Sequence, residues 1–394
     1  MSEKEGRLIP SDHELLADSS VSSRNRIDLR ALDRSCRMRI CYLADASSQH
    51  TVRWAQYFST HRHEVQIISF RQSEDPQAQQ WTRVIKSRWQ TKLDSFFFAP
   101  RARQLLERFK PDIVHAHYAS SYGTLGRLCR FHPYVLSVWG SDIYDFPRRS
   151  WLHRKLLRKN LAAADRLCST SNTMAAETQR YYNKPVTITP FGIDCDRFRL
   201  SSVPKNSQDE FVIGTIKALE PPYGIDYLLR AFALLTAKYA GRKKLRLTIA
   251  GDGSLRKSLE RLAENRGVIN KVSFLGQVPH SQVPQLLNTF AVFCALSLSE
   301  SFGVAILEAS ACQVPVVVTN IGGLPEVVRD NLTGFIVPAK DARAAANAVG
   351  KLIDQDSLRR DFGEAGRKFV LENFEWSQNA KQMENVYESV LRAT

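Results

Sequence analysis

Two series of short apolar runs, spaced by helix-length amphipathic stretches, limit what this 394-residue chain can become. In the first series, residues 39–44 (Arg39-Ile40-Cys41-Tyr42-Leu43-Ala44), 64–69, 111–117 and 134–138 read as strands. Helices fit at 52–60 and 101–109. In the second, 211–216, 245–250, 272–275, 290–298 and 314–319 read as strands, with helices at 225–239 and 255–265. Strands that alternate with helices predict α/β architecture with parallel, doubly wound sheets. Two such series predict two Rossmann-like halves, with a ligand at strand C-terminal ends in the crevice between them. The first half is expected at 38–200 and the second at 201–370, joined by a Ser-, Pro- and charge-rich linker at 198–209. Two helices, 341–370 and 376–392, close the chain, and the segment 371–394 is expected to pack back on the first half. Residues 1–37 hold few aromatics and many Ser, Asp, Glu and Arg, so they read as a disordered extension.

The apolar runs reach only about ten residues, too few to cross a bilayer. The polar start of the chain has no signal-peptide pattern. Seven cysteines without a CxxC pair suggest reduced thiols and a cytoplasmic protein rather than a zinc site. Cys41, Cys168, Cys294 and Cys312 lie in apolar runs and are expected in the core. Net charge is +15, and the excess crowds the first half, from Arg53 to Lys110 and from Arg148 to Lys159. Such a face attracts anionic lipid or nucleic acid through its summed field. No nucleic-acid motif accompanies it. Phe96-Phe97-Phe98 with 101–110, and 151–161, interleave apolar and basic residues in the manner of helices lying on an anionic bilayer. The same pattern also fits a solvated face over an ordinary core stripe.

The densest chemistry lies in Ser299-Glu300-Ser301-Phe302-Gly303-Val304-Ala305-Ile306-Leu307-Glu308-Ala309. A strand-like run leads in, and Gly322-Gly323-Leu324-Pro325-Glu326 follows. Ser301 and Gly303 fall at a helix start, where free N–H groups and the helix dipole favour a phosphate. Glu300 and Glu308 are poor neighbours for that phosphate and suit the hydroxyl pairs of a ribose or sugar. Glu308 also sits in an apolar run, a costly place for an unpartnered charge. The alternative is a surface glutamate and a capping glutamate around a loop glycine.

Glu300 and Glu308 form an E-x7-E pair, and Gly322 to Glu326 a GGxPE segment. Ala250-Gly251-Asp252-Gly253-Ser254-Leu255, Phe274-Leu275-Gly276-Gln277-Val278 and Pro190-Phe191-Gly192-Ile193-Asp194 keep the same order. So do His115-Ala116-His117 and Trp139-Gly140-Ser141-Asp142. Together they resemble the retaining GT-B glycosyltransferases of family 4 over about residues 38–392. The resemblance implies a nucleotide-sugar donor held by the second half. Glu308 would take the ribose hydroxyls and Glu300 the donor sugar. The backbone around Phe302, Gly303 and Val304, with Ser301, would meet the diphosphate. Gly251 and the Leu275 to Val278 segment would frame the base. Lys217 would be one member of a basic pair that neutralises the leaving diphosphate. The position of the second member holds Tyr223 where the family has Lys.

Charge separation in the transition state asks for preorganised donors at the leaving group, and Lys217 with a helix start supplies them without metal. No cofactor is expected. Asp194 and Asp196 form an Asp-x-Asp triplet by letter only and read as structural. His117 ends a strand facing the crevice and is expected at the donor sugar, whereas His115 is expected in the core. Asp142 would touch the acceptor, orient His117, or cap a turn. His50 and Arg53, in and after the first strand-loop, are expected as acceptor-side groups. The function expected is transfer of a hexose or N-acetylhexosamine from a UDP- or GDP-sugar, with retention, to a saccharide or lipid-linked acceptor. The alternatives are a nucleotide-sugar 2-epimerase and a non-catalytic, nucleotide-binding partner protein of the same fold.

Overall fold

Parallel strands buried on both faces are rich in Val, Ile and Leu, and such runs organise both halves of the protein. The computed structural model describes residues 37–86, 94–201 and 210–393. The segments 1–36 and 202–209, which carry nearly all of the expected extension and most of the expected linker, lie outside the described residues.

The first sheet has the order β3-β2-β1-β4-β5-β6-β7. Its strands are β1 (Arg39–Leu43), β2 (Glu64–Ser69), β3 (Thr82–Val84), β4 (Ile113–His117), β5 (Tyr134–Val138), β6 (Arg166–Ser169) and β7 (Val186–Ile188). Every pairing is parallel. The second sheet has the order β10-β9-β8-β11-β12-β13. It contains β8 (Glu210–Ile216), β9 (Lys244–Ala250), β10 (Val272–Gly276), β11 (Val292–Ala295), β12 (Val316–Thr319) and β13 (Gly334–Val337), again all parallel. The strand order turns back between β1 and β4 in one sheet and between β8 and β11 in the other. Side chains just past those four strands are therefore delivered to a crevice mouth.

Three of the strands, β6, β7 and β13, and the short β3 are not among those read from the sequence. The stretch read as a helix over 341–370 is two helices, Ala342–Asp354 and Asp356–Asn373, because Gln355 is extended at φ −127° and ψ 94°. The strand read over 290–298 is only Val292–Ala295. The chain beyond it turns off the sheet to carry Glu300.

The chain passes between the halves twice. Ile193 brackets the second crossing there, with Trp376 N–H donating to Ile193 O at 2.9 Å and Ile193 N–H to Phe374 O at 2.7 Å. Arg367 donates to the carbonyls of Phe198 and Ala311, fastening one crossing to the second half. The last helix, Trp376–Leu391, packs on the first half: Tyr387 Oη is 2.6 Å from His115 Nδ1, and the Trp376 ring is 4.9 Å from Trp54. Phe191, Phe302 and Phe374 meet across the seam in a shared apolar cluster. No helix among the described residues is long and apolar enough to cross a membrane.

Candidate active site

A cleft of about 310 Å³ opens between the two sheets at their strand C-terminal ends. The second half contributes Lys217, His280, Glu300 to Ala305 and Glu308. The first contributes Gln49, His50, Tyr118, Trp139 and Phe191. An adjoining pocket of about 500 Å³ shares Gln49 and His280 with it and adds Arg53, Asp194 and Arg197.

Lys217 follows the last residue of β8 and is fixed by its N–H bond to Ala250 O at 2.9 Å. Its ammonium donates to Glu300 Oε2 and stands 5.1 Å from the centre of the Tyr223 ring. Ser297 Oγ donates to the same carboxylate oxygen at 3.3 Å. Tyr223 therefore brings a ring face, not a second charge, to the cation. Gly251 packs against the carbonyl of Lys217 and bonds Gly276 O at 2.7 Å.

The helix Val304–Ala311 begins at Gly303, whose φ of +105° turns the chain sharply into the first helical turn. No side chain caps this helix, so its first amides are available to an anion. The Glu300 to Phe302 turn rests on the Gly322-Gly323 pair. A Cβ at Gly322 would lie 1.9 Å from Glu300 O, so only glycine lets the two loops meet. Four residues later, Glu326 reaches the first half. Its carboxylate accepts from the N–H groups and side chains of Asn172 and Thr173 at 2.8–2.9 Å, at the start of the helix Asn172–Gln179. Burial alone would raise its pKa, but these bonds together hold it below the usual carboxylate value. Ser171 Oγ adds a bond to Ser301 O at 2.8 Å.

Glu308 is 5% exposed, and its Oε1 lies 2.8 Å from His280 Nε2. On the opposite wall, His50 stacks on Phe191 at 4.1 Å and meets the edge of Trp139. Burial, then the neighbouring Arg53 and His280, pushes His50 down to about 4, so it stands neutral at pH 7.

Several expected site residues lie elsewhere. His117 is fully buried, bonded through Nδ1 to Thr51 Oγ1 at 3.1 Å, and does not line the cleft. Trp139, whose ring packs 4.2 Å from it, takes that surface instead. His115 is a core residue between Tyr387 and Ser137 Oγ. Asp142 is buried and accepts the amides of Ala119, Trp139 and Gly140, which is the turn role. Arg53 belongs to the adjoining pocket, donating to Gly192 O at 3.2 Å over the Trp376 ring. Gly251, the exposed Leu275 and the half-buried Val278 sit on strand ends of the second half, outside the lining of the cleft. Asp194 Oδ1 accepts the amides of Asp196 and Arg197 in a turn. No three His, Cys, Asp or Glu among the described residues are grouped to hold a metal ion.

The residues that sequence reasoning misses are His280, Trp139, Tyr118 and Phe191. Three of them fall within or beside the motifs quoted above, and the signal that could find them is position just past a strand.

The family described as "Glycosyl transferases group 1" matches residues 196–369, and "Glycosyl transferase 4-like" matches 39–171. N-acetyl-alpha-D-glucosaminyl L-malate synthase of Bacillus anthracis is 27% identical over 307 residues, covering 75% of this chain and 79% of that protein. A phosphatidylinositol N-acetylglucosaminyltransferase component from Arabidopsis thaliana is 30% identical over 307 residues, covering 75% and 66%. Among solved structures, sucrose-phosphate synthase from Thermosynechococcus elongatus superposes with a TM-score of 0.78 at 19% identity, covering 90% of this chain and all of that one. Anabaena Alr3699/HepE in complex with UDP-glucose does so with a TM-score of 0.77 at 19% identity, covering 89% and 100%. Matches that run through both halves, on a cleft with this helix start and its two glutamates, make the chain a member of the group 1, family 4-type glycosyltransferases of GT-B fold.

Proposed function

We propose that the protein moves a hexose or N-acetylhexosamine from a UDP- or GDP-sugar to a saccharide or lipid-linked saccharide, with retention at the anomeric carbon, in cell-surface polysaccharide or glycolipid synthesis. The observation that carries this reading is the pairing of Lys217 with Glu300 beside the uncapped start of the Val304–Ala311 helix. The scissile bond joins the sugar's C1 to a phosphate oxygen. As it breaks, negative charge grows on the diphosphate, where Lys217 and the first helical amides meet it. Positive charge grows on the sugar beside Glu300. Both cleft carboxylates are already engaged, Glu300 by Lys217 and Ser297, Glu308 by His280. That favours the departing phosphate oxygen as the base for the acceptor hydroxyl, which then arrives on the face the phosphate leaves. The new C1–O bond keeps the donor's anomeric configuration, and the proton ends on the nucleotide. The UDP-glucose complex of the Anabaena protein and the N-acetylglucosaminyl names of the two relatives support the choice of donor class.

The test is nucleotide release from a panel of UDP- and GDP-sugars with saccharide and lipid-linked acceptors, followed by NMR of the product's anomeric proton. The α-donor is expected to give an α-product, at a rate that EDTA leaves unchanged. An inverted product would overturn retention. An epimerised sugar made without an acceptor would overturn transfer itself.

A contact with the anionic cytoplasmic face of a membrane belongs to the same proposal. The helix Trp151–Ala163 exposes Trp151 and Leu152 at one end and Arg154, Lys155, Arg158 and Lys159 along its outer face. Phe96 is likewise exposed. Apolar tips beside a basic stripe fit an interfacial helix. Co-sedimentation with phosphatidylglycerol vesicles, lost in W151A/L152A and absent with neutral vesicles, is the expected outcome. Equal binding to neutral vesicles would remove the electrostatic part.

A further inference from the structure

Glu308 is the most awkward charge in the cleft. It lies in the Val304–Ala311 helix, where every residue from Ile306 to Ala311 is buried. A carboxylate in that setting requires a donor, since its water has been removed. The donor comes from a different element. His280 opens a short helical turn, His280–Gln282, beyond β10, and its Nε2 lies 2.8 Å from Glu308 Oε1. The turn is held in place independently of Glu308. Arg197 donates to the His280 carbonyl, the His280 ring packs 5.5 Å from Phe198, and Gln282 N–H bonds Pro279 O at 2.8 Å. In that contact Nε2–H is the donor and the carboxylate oxygen the acceptor. His280 also lines both the cleft and the adjoining pocket, at the point where the two meet.

We infer that His280 is a positioning residue that aims Glu308 at the ribose diol of the donor. The inference rests on the reading of Glu308 as the nucleoside-binding carboxylate. By tying Oε1, His280 sets the plane of the carboxylate and leaves Oε2 to accept from the ribose. The ordering cost of the glutamate is then met before the nucleotide arrives, which favours affinity. Because His280 acts through Glu308, its work falls on donor binding and not on the chemical step.

The experiment is calorimetric titration of the full-length chain with UDP and GDP, for wild type, H280A and H280Q, alongside steady-state kinetics. The nucleotide that binds wild type is then compared with its 2′,3′-dideoxy form. His280→Ala is expected to weaken the ribonucleoside diphosphate roughly tenfold, the order of one hydrogen bond to a charged group. His280→Gln, which keeps an N–H donor at similar reach, is expected to restore most of that loss. The donor KM should rise in H280A with kcat near wild type. With the dideoxy nucleotide, wild type and H280A should bind alike, because there is no diol left for Glu308 to hold. An unchanged affinity in H280A overturns the inference. So does an equal penalty for ribo and dideoxy nucleotides, or a fall in kcat at constant KM. Thermal unfolding of each variant separates these results from misfolding, and the H280Q arm stands if H280A does not fold. If wild type binds neither UDP nor GDP, the reading of the site fails first, and that result cannot be confused with failure of His280 alone.

Discussion

Lys217 and Glu300 lean on each other at one end of the cleft, with side chains only 10% and 13% exposed. A pair so little exposed is costly to break, because removal of one partner leaves the other desolvated. Lys217 is also, among the described residues, the one Lys or Arg in the lining of the cleft that holds the uncapped helix start, so its larger effect belongs to the leaving group. Lys217→Ala is expected to lower kcat by about a hundredfold, the scale seen when one donor to developing charge is lost. Steady-state kinetics with a scan of thermal stability would show it; a change in donor KM with kcat intact would assign Lys217 to ground-state binding instead. Gly322 makes a second case. With φ at +55° and the Glu300 carbonyl 1.9 Å from any Cβ, Gly322→Ala should destabilise the fold by more than about 1 kcal/mol. A thermal midpoint equal to wild type would contradict that. Glu308 is legible in the sequence because a charge inside an apolar run demands a reason, and Glu300 because it opens the E-x7-E pair that Glu308 closes. His280 is not, since its meaning comes from a partner 28 residues away. Strand alternation puts His117 on the right face of β4, but alternation does not report which neighbour covers it, and Trp139 does.

At the scale of elements, β4 buries His115 and His117, and the first turn of the helix Gln49–Thr60 sets the half-buried His50 near them. Burial pushes His115 down to about 3 and His117 well below the ordinary value of 6.5, the latter helped by His115 and His50. His50 falls to about 4. Well above pH 6.5 these rings are neutral in both the folded and the unfolded chain and contribute no pH dependence. As pH falls from 6.5 toward 4, the unfolded chain takes up protons that the folded chain refuses, so stability must fall with pH over that window. Thermal midpoints measured between pH 7.5 and 5 should drop below pH 6.5, and His50→Gln should remove part of the slope. A flat profile would mean the rings accept protons in place. The same element scale explains what the pattern of residues does and does not reveal. Central strands such as β1, β8 and β12 stand out because both faces are buried. The strands β3, β7 and β13 are three or four residues long and lie at or near sheet edges, too short for any periodicity. Asp354-Gln355-Asp356 holds no Gly or Pro, so the break between the two late helices leaves no mark; Tyr239 Oη, donating to Asp354 Oδ2 at 2.8 Å, helps fix it from afar.

At the scale of the molecule, the two halves are tied on both sides of the cleft by different means. On one side the chain itself crosses, at Ile193 and again at Phe374 to Trp376. On the other, Glu326 of the second half caps the Asn172–Gln179 helix of the first through four hydrogen bonds, and Ser171 holds the Ser301 carbonyl. The first set is covalent and survives any motion. The second can open, and it sits against the turn that carries Glu300 and Ser301. A carboxylate at a helix N-terminus is worth about 1 kcal/mol, enough to change a closed-to-open ratio about fivefold if the two forms are near balance. Glu326→Ala is therefore expected to enlarge the radius of gyration in small-angle scattering without donor, to raise donor KM, and to return to the wild-type radius when donor is added. Because its hydrogen bonds hold Glu326 below the usual carboxylate value, the latch should persist through mildly acidic pH and loosen only as pH falls through that lowered value. Scattering curves that superpose for wild type and E326A, with and without donor, would show that the crossings alone set the cleft and that Glu326 does no more than cap a helix.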